Sequence, residues 1–321
     1  MLPTPEPILR LKRGKTIETI HNGWICILDN NQKVVLKKGN IHDPVFLRSV
    51  AKPIQALPII DFNIQIPEKT LAVICGSHSG SSKHINLLKN LMQKFHIKES
   101  FLQCGIHEPF DESERKKLIK KNLKPTPLHN NCSGKHTGML CICKKNGWPT
   151  KSYLSCNHPL QELILKNIIQ LSGAKTIYTA IDGCSAPTFA LPVINIARMF
   201  SLLTGELSSK YSFLLQSIRN NPYYFGGNGL LDSEIIKASR GKIISKSGAE
   251  GIIVCAYKGY SIVLKVADGS PKARSIIILK LLQELNWLKS SDISNSCLSR
   301  TLKNYFTNHS GKTVCNEEIL L

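Results

Sequence analysis

The residues best suited to chemistry fall in four short loops rich in Ser, Lys, Cys, His, Asp and Gly, close behind apolar runs. Loops on a rigid scaffold are where reactive polar groups are usually displayed. The first candidate is Ser49-x-x-Lys52. Residues i and i+3 share one face of a helical turn, so the ammonium can reach the hydroxyl. A serine becomes a nucleophile when a neighbouring base takes its proton. A lysine can be that base once burial or a second cation lowers its pKa toward neutrality. Other Ser-x-x-Lys matches begin at Ser113, Ser172 and Ser239. Only Ser49 is followed by an apolar segment, PIQALPII, able to bury its lysine.

The second candidate is Lys246-Ser247-Gly248, on a predicted strand. Ser-x-x-Lys with a later Lys-Ser/Thr-Gly strand is the pattern of penicillin-recognising serine acylases, in which the strand lysine supplies a second cation. The third is Ser77-His78-Ser79-Gly80, a small-residue loop whose hydroxyls and N–H groups could face an oxyanion. The fourth joins Cys132-x-x-Lys135-His136 to Asp182-x-Cys184. Two cysteines on separate loops could share a zinc, with Lys135, His136, Asp182 or water completing the set. Ordinary free thiols are the plainer alternative on spacing alone.

Elements must hold these loops together. Residues 17–38 read as a hairpin around Asp29-Asn30-Asn31, and 242–267 as an antiparallel meander. Arg48–Pro58 reads as the start of a short buried helix, with Pro53 in its first turn. Helical periodicity covers about 83–95, MLCICKK after the Cys132 loop, 158–171, about 188–203 and about 272–288; Thr176–Ile181 reads as a strand. Strands at both ends with helices between predict an α+β sandwich. One antiparallel sheet would be built from the N- and C-terminal segments and flanked by helices, with a largely helical middle region. Residues 1–321 read as a single catalytic unit, divisible into 1–48 plus 242–321 and 49–241.

The composition is 42% apolar and 20% charged, which excludes a disordered chain. No apolar run reaches the ~18–20 residues of a membrane span. The N-terminus shows no apolar h-region, so no secretory leader is expected. An odd cysteine count, 11, without a CxxC, points to a reducing cytoplasm rather than a disulfide framework. The net charge of +20 raises a nucleic-acid partner, but the one dense basic run, KKLIKKNLK, follows acids in a helical pattern and reads as a solvated helix face.

LRSVAKPIQALP, CGSHSGSSKH, HNNCSGKHTGMLC, IDGCSAPTFALP and KSGAEGIIVCA occur in this order over residues 47–256. Together they resemble the asparaginase II family, the rhizobial-type or class 3 L-asparaginases. ETIHNGWICILD and LKVADGSPKAR extend the resemblance to about 16–290. It implies a serine β-lactamase/glutaminase-like fold, a homodimer, and hydrolysis of L-asparagine to L-aspartate and ammonia. It also implies two Ser–Lys pairs: Ser49–Lys52, and Lys246 with either Ser77 or Ser79. A zinc held by Cys132, Cys184 and Lys135, supporting substrate binding, is implied too. Substrate contacts are expected from Arg48, His78, Asn131, Gly134, His136 and Asp182. The tail 289–321 carries no recognised motif, and its Cys297 and Cys315 have no assigned role.

Overall fold

The β-rich ends of the chain meet in one sheet. The structure is a computed structural model describing residues 3–307, 310 and 312–321. Its strands are β1 (Glu6–Arg13), β2 (Thr16–Leu28), β3 (Val34–Lys38), β4 (Pro44–Phe46), β5 (Tyr178–Ile181), β6 (Pro187–Pro192), β7 (Ile244–Ser247), β8 (Ile252–Tyr257), β9 (Tyr260–Val266) and β10 (Asn316–Ile319). Among the described residues a seven-stranded antiparallel sheet runs β10-β1-β2-β9-β8-β7, with β3 also paired to β2. Trp24 pairs with Lys265 and Cys26 with Val263, so the two termini of the sequence are hydrogen-bonded neighbours.

Strand residues alternate between two cores. Trp24, Cys26, Leu28, Val254 and Val263 face one cluster, which also holds Ile54, Leu140 and Ile196 from the helical middle. Ile25, Ile27, Ile253, Cys255, Ile262 and Leu264 face the other, against Ile277, Ile278 and Leu282 of the helix Pro271–Glu284. Burial on both faces explains why these strands read as unbroken apolar runs such as WICIL and IIVCAY. The fold is α+β, an antiparallel sheet flanked by helices, and the sheet shares a core with the 49–241 region. No helix among the described residues is long and apolar enough to cross a membrane.

Two local readings change. The run from Thr188 begins as β6, paired with β4 and β5 in a small second sheet, and the helix starts only at Val193 after Pro192. Strand partners outweigh helical propensity in TFALP, which no local pattern can reveal. The helix ahead of MLCICKK already begins at Ser133, with Cys132 at its N-cap, and runs to Asn146. Lys135 and His136 thus stand on a helix rather than in a loop. The tail is docked: β10 pairs with β1, and Cys315 is buried in the second core.

Candidate active site

The site is assembled where several elements end together. A 3-10 turn, Arg48–Ala51, follows β4 and runs straight into the helix Lys52–Gln55. The helix Glu68–Cys75 delivers the Ser77 loop, and the N-cap of Ser133–Asn146 delivers Asn131 and Cys132. The β5–β6 turn carries Asp182 and Cys184. The β7–β8 turn passes so close to Arg48 that a Cβ on Gly248 would lie 3.1 Å from the Arg48 Cβ and 3.2 Å from the Leu47 carbonyl oxygen. Glycine is what the sequence places there.

Lys52 is 1% exposed. Its ammonium donates to Ser77 Oγ at 2.9 Å and to the Asn131 carbonyl at 3.1 Å. Burial, aided by the charges of Lys246 and Lys135, lowers its pKa to about 8. The Lys52 N–H closes the preceding turn on the Ser49 carbonyl, so Ser49 sits one turn from it on the same element. Ser49 and Ser77 both line a cavity of about 360 Å³, walled also by Phe110, Leu230, Leu231, Asp232 and Arg274. A smaller adjoining cavity of about 160 Å³ shares Ser49, Asn131 and Ala249 and reaches Arg48, Asp182, Cys132 and Cys184. Ser49 therefore stands where the two meet.

The expected pairings are redistributed. The hydroxyl on the Lys52 ammonium is that of Ser77, not of Ser49. Lys246 reaches neither Ser77 nor Ser79: it donates to Asp232 Oδ2 at 3.1 Å and to the Ser247 carbonyl at 2.5 Å. Alternation along β7 aims it at Asp232 on the helix Leu231–Ala238, a partner far away in sequence. Ser79 is turned inward: its N–H donates to the Gly226 carbonyl at 2.6 Å, its hydroxyl is buried with no hydrogen-bond partner among the described residues, and it lines neither cavity.

Beside Ser49, Lys135 donates to Cys184 Sγ at 3.0 Å. The neighbouring Cys184 side chain, with the Lys52 and Lys135 ammoniums, outweighs burial and holds the Cys132 thiol well below its usual pKa. The Cys132 side chain and burial push Cys184 up. Burial opposes the charge on Lys135, but the two sulfurs and Asp182 outweigh it and raise its pKa. Asp182 accepts from Arg48 Nε at 2.7 Å. Arg48, Ser185 and Glu250 all have left-handed backbones, with φ of 48°, 66° and 59°. Such non-glycine residues cost on the order of 1 kcal/mol or more each and tend to gather at functional sites. The guanidinium of Arg48, facing Asp182 and also Glu250 at 3.9 Å, ties the loops together.

Three expected substrate contacts are internal instead. His78 is buried, its Nδ1 accepting from Gly80 and its Nε2 donating to Ser133 Oγ at 3.0 Å. Burial keeps it neutral, well below the usual histidine range. His136 is fully buried against Tyr153 OH at 2.7 Å and is likewise neutral. Gly134 packs its helix on Glu68–Cys75; a Cβ there would lie 2.5 Å from the Val73 carbonyl oxygen. His78 and His136 hold the loops through buried hydrogen bonds, and Gly134 does so by close helix packing. Sequence reasoning passed over Asp232, Phe110, His107 and Arg274, and quoted Ser247 without a role. Asp232 reads as an ordinary first-turn acid, and nothing local tells it apart.

The site thus sets a buried lysine against a half-buried serine at a cavity, with Lys246 a second buried cation beyond. The family model for L-asparaginase II matches residues 9–318. The chain belongs to that family, which is one of amidohydrolases. A comparison with curated proteins gave no match. Among solved structures, one titled "Crystal Structure Analysis of Mglu in its glutamate form" aligns at 11% identity with a TM-score of 0.37, over 84% of this chain. The chain spans 61% of the length of that structure.

Proposed function

We propose that the protein hydrolyses L-asparagine to L-aspartate and ammonia by Ser–Lys covalent catalysis. The observation that carries the reading is the buried Lys52 ammonium, 2.9 Å from Ser77 Oγ, beneath a cavity also lined by Ser49. Ser49 is the nucleophile: it lies one turn from Lys52 and at the meeting of the two cavities. Neutral Lys52 takes the Ser49 proton as the Oγ–carbon bond forms, with Ser77 bridging the transfer. The C–N bond then breaks, and Lys52 returns the proton to the departing ammonia. Water, deprotonated by the same lysine, releases aspartate from the acyl-enzyme. Asparagine rather than glutamine follows the family; the two differ by one methylene, worth only about 1–3 kcal/mol in an apolar pocket. A homodimer and a cytoplasmic setting rest on the same resemblance and on the cysteine usage.

Ammonia release from asparagine by wild type but not by Ser49→Ala, with a trapped acyl group on residue 49 seen by mass spectrometry, is the expected result. Label on Ser77 would exchange the two serines, and a wild type inactive on asparagine and glutamine would remove the activity.

Zinc binding belongs to the same reading. Among the described residues no group of three or more His, Cys, Asp and Glu converges as a metal site. Two buried cysteines with an amine 3.0 Å from one sulfur nonetheless form a soft N/S donor set that fits zinc. Cys132, Cys184 and Lys135 would hold it, Lys135 giving up its proton to do so. When bound, the metal supplies a fixed positive charge for an oxygen of the substrate. Arg48 and Asp182 orient this wall of the smaller cavity.

A further inference from the structure

We propose that Asp232 is a positioning residue for the reaction, holding the Lys246 side chain in place and turning the Ser247 hydroxyl into a hydrogen-bond acceptor for a substrate N–H. The inference rests on the amide-hydrolysis reading and deepens it. Asp232 is 7% exposed, lies in the first turn of Leu231–Ala238, and lines the same cavity as Ser49 and Ser77. Its Oδ2 accepts from Lys246 Nζ at 3.1 Å, from the Ser247 N–H at 2.9 Å and from Ser247 Oγ at 2.8 Å. Its Oδ1 accepts from Ser245 Oγ at 3.1 Å. Three donors crowd Oδ2 and one holds Oδ1, so the carboxylate is committed to its protein partners.

Its effect passes through its partners. The Lys246 ammonium is spent on Asp232, on the Ser247 carbonyl at 2.5 Å and on the Phe225 ring face at 5.7 Å. With its donors so committed, it is held in one position beside the cavity wall formed by Asp232 and Ser247. A hydroxyl has one proton. Ser247 gives its proton to Asp232, so what it offers the cavity is lone pairs. Those suit an N–H of the substrate, which carries both an amide and an ammonium.

The test is steady-state ammonia release by Asp232→Asn, Asp232→Glu, Ser247→Ala and Asp232→Asn/Ser247→Ala, with circular dichroism and thermal unfolding for each. Asp232→Asn should lower kcat about a hundredfold and raise KM by at least about threefold, because the Ser247 hydroxyl it orients meets a substrate N–H. Asp232→Glu should recover at least about tenfold of that loss. In the Ser247→Ala background the same Asn change should cost at least about tenfold less than in wild type, as expected for residues acting as one unit. A folded Asp232→Asn enzyme with kcat within about threefold of wild type overturns the proposal, as does full additivity with Ser247→Ala. If Asp232→Asn fails to fold, Asp232→Asn/Lys246→Met removes both buried charges together. The comparison then runs between that variant and Lys246→Met: the Asn change should there cost about tenfold, the part that passes through Ser247, and a cost of about a hundredfold or none at all overturns the proposal. Wild type that neither hydrolyses asparagine nor binds L-aspartate in calorimetry overturns the asparaginase reading and this one with it. Hydrolysis with an indifferent Asp232 overturns this one alone.

Discussion

Burying an ammonium without compensation costs several kcal/mol, and this protein buries three: Lys52, Lys135 and Lys246. They are compensated differently. Lys246 has a carboxylate and Lys135 has two sulfurs, whereas Lys52 rests on two neutral oxygens with Cys132 nearby. Lys52→Met should lower kcat by about a thousandfold or more while leaving the thermal midpoint unchanged or higher, because a buried polar group is replaced by an apolar one. A matching fall in stability would mean that Lys52 holds structure instead. Metal content belongs to the same scale: Cys132→Ser protein should purify with less than about a tenth of wild-type zinc, and unchanged zinc would remove Cys132 from the ligand set. Asp232 sets an acid-stability prediction. Burial would raise its pKa, but Lys246 and the Ser247 donors hold it below the usual carboxylate value. A depressed folded pKa stabilises the protein above the unfolded value of about 3.9, and that stability is lost as pH falls through the folded value. Urea unfolding should show Asp232→Asn well below wild type at pH 7, with the gap closing under about pH 4; a gap that widens in acid contradicts this.

Elements decide which of these side chains meet. The helix beginning at Ser133 puts Cys132 at its N-cap and Lys135 three residues on, which aims the amine at Cys184 on another turn. That placement depends on Gly134 lying against Val73. Gly134→Val should destabilise the protein by about 2–3 kcal/mol and reduce bound zinc together with activity, by shifting a helix rather than by removing a ligand. Activity and zinc at wild-type levels in this variant would break the link. The elements also show where local reading stops. Hairpin, meander and the amphipathic helix at Pro159–Ser172 are legible because their periodicities are local. β6 is not, since its apolar run TFALP shows no alternation and its strand state is supplied by pairing with β5 across a short turn and with the distant β4.

Across the whole molecule, the sheet is sandwiched between two apolar cores, and the loops of the candidate site project from that slab. Leu28 faces one core and Ile262 the other, and both are fully buried. Leu28→Ala and Ile262→Ala should each cost roughly 2–5 kcal/mol in chemical denaturation, without changing KM. A sheet with one solvated face would tolerate one of the two. The chemistry-bearing residue types, their order along the chain, the α+β class and the family are all carried by sequence, because motifs and period-two runs are local in the chain. Partnership is not. Lys52 with Ser77, Lys246 with Asp232, and the inward turn of His78 and His136 arise from side chains 14 to 55 residues apart being packed into one interior. A motif names the groups available, but hydrogen-bond geometry and burial, which exist only after the sheet closes, decide which proton each group can take.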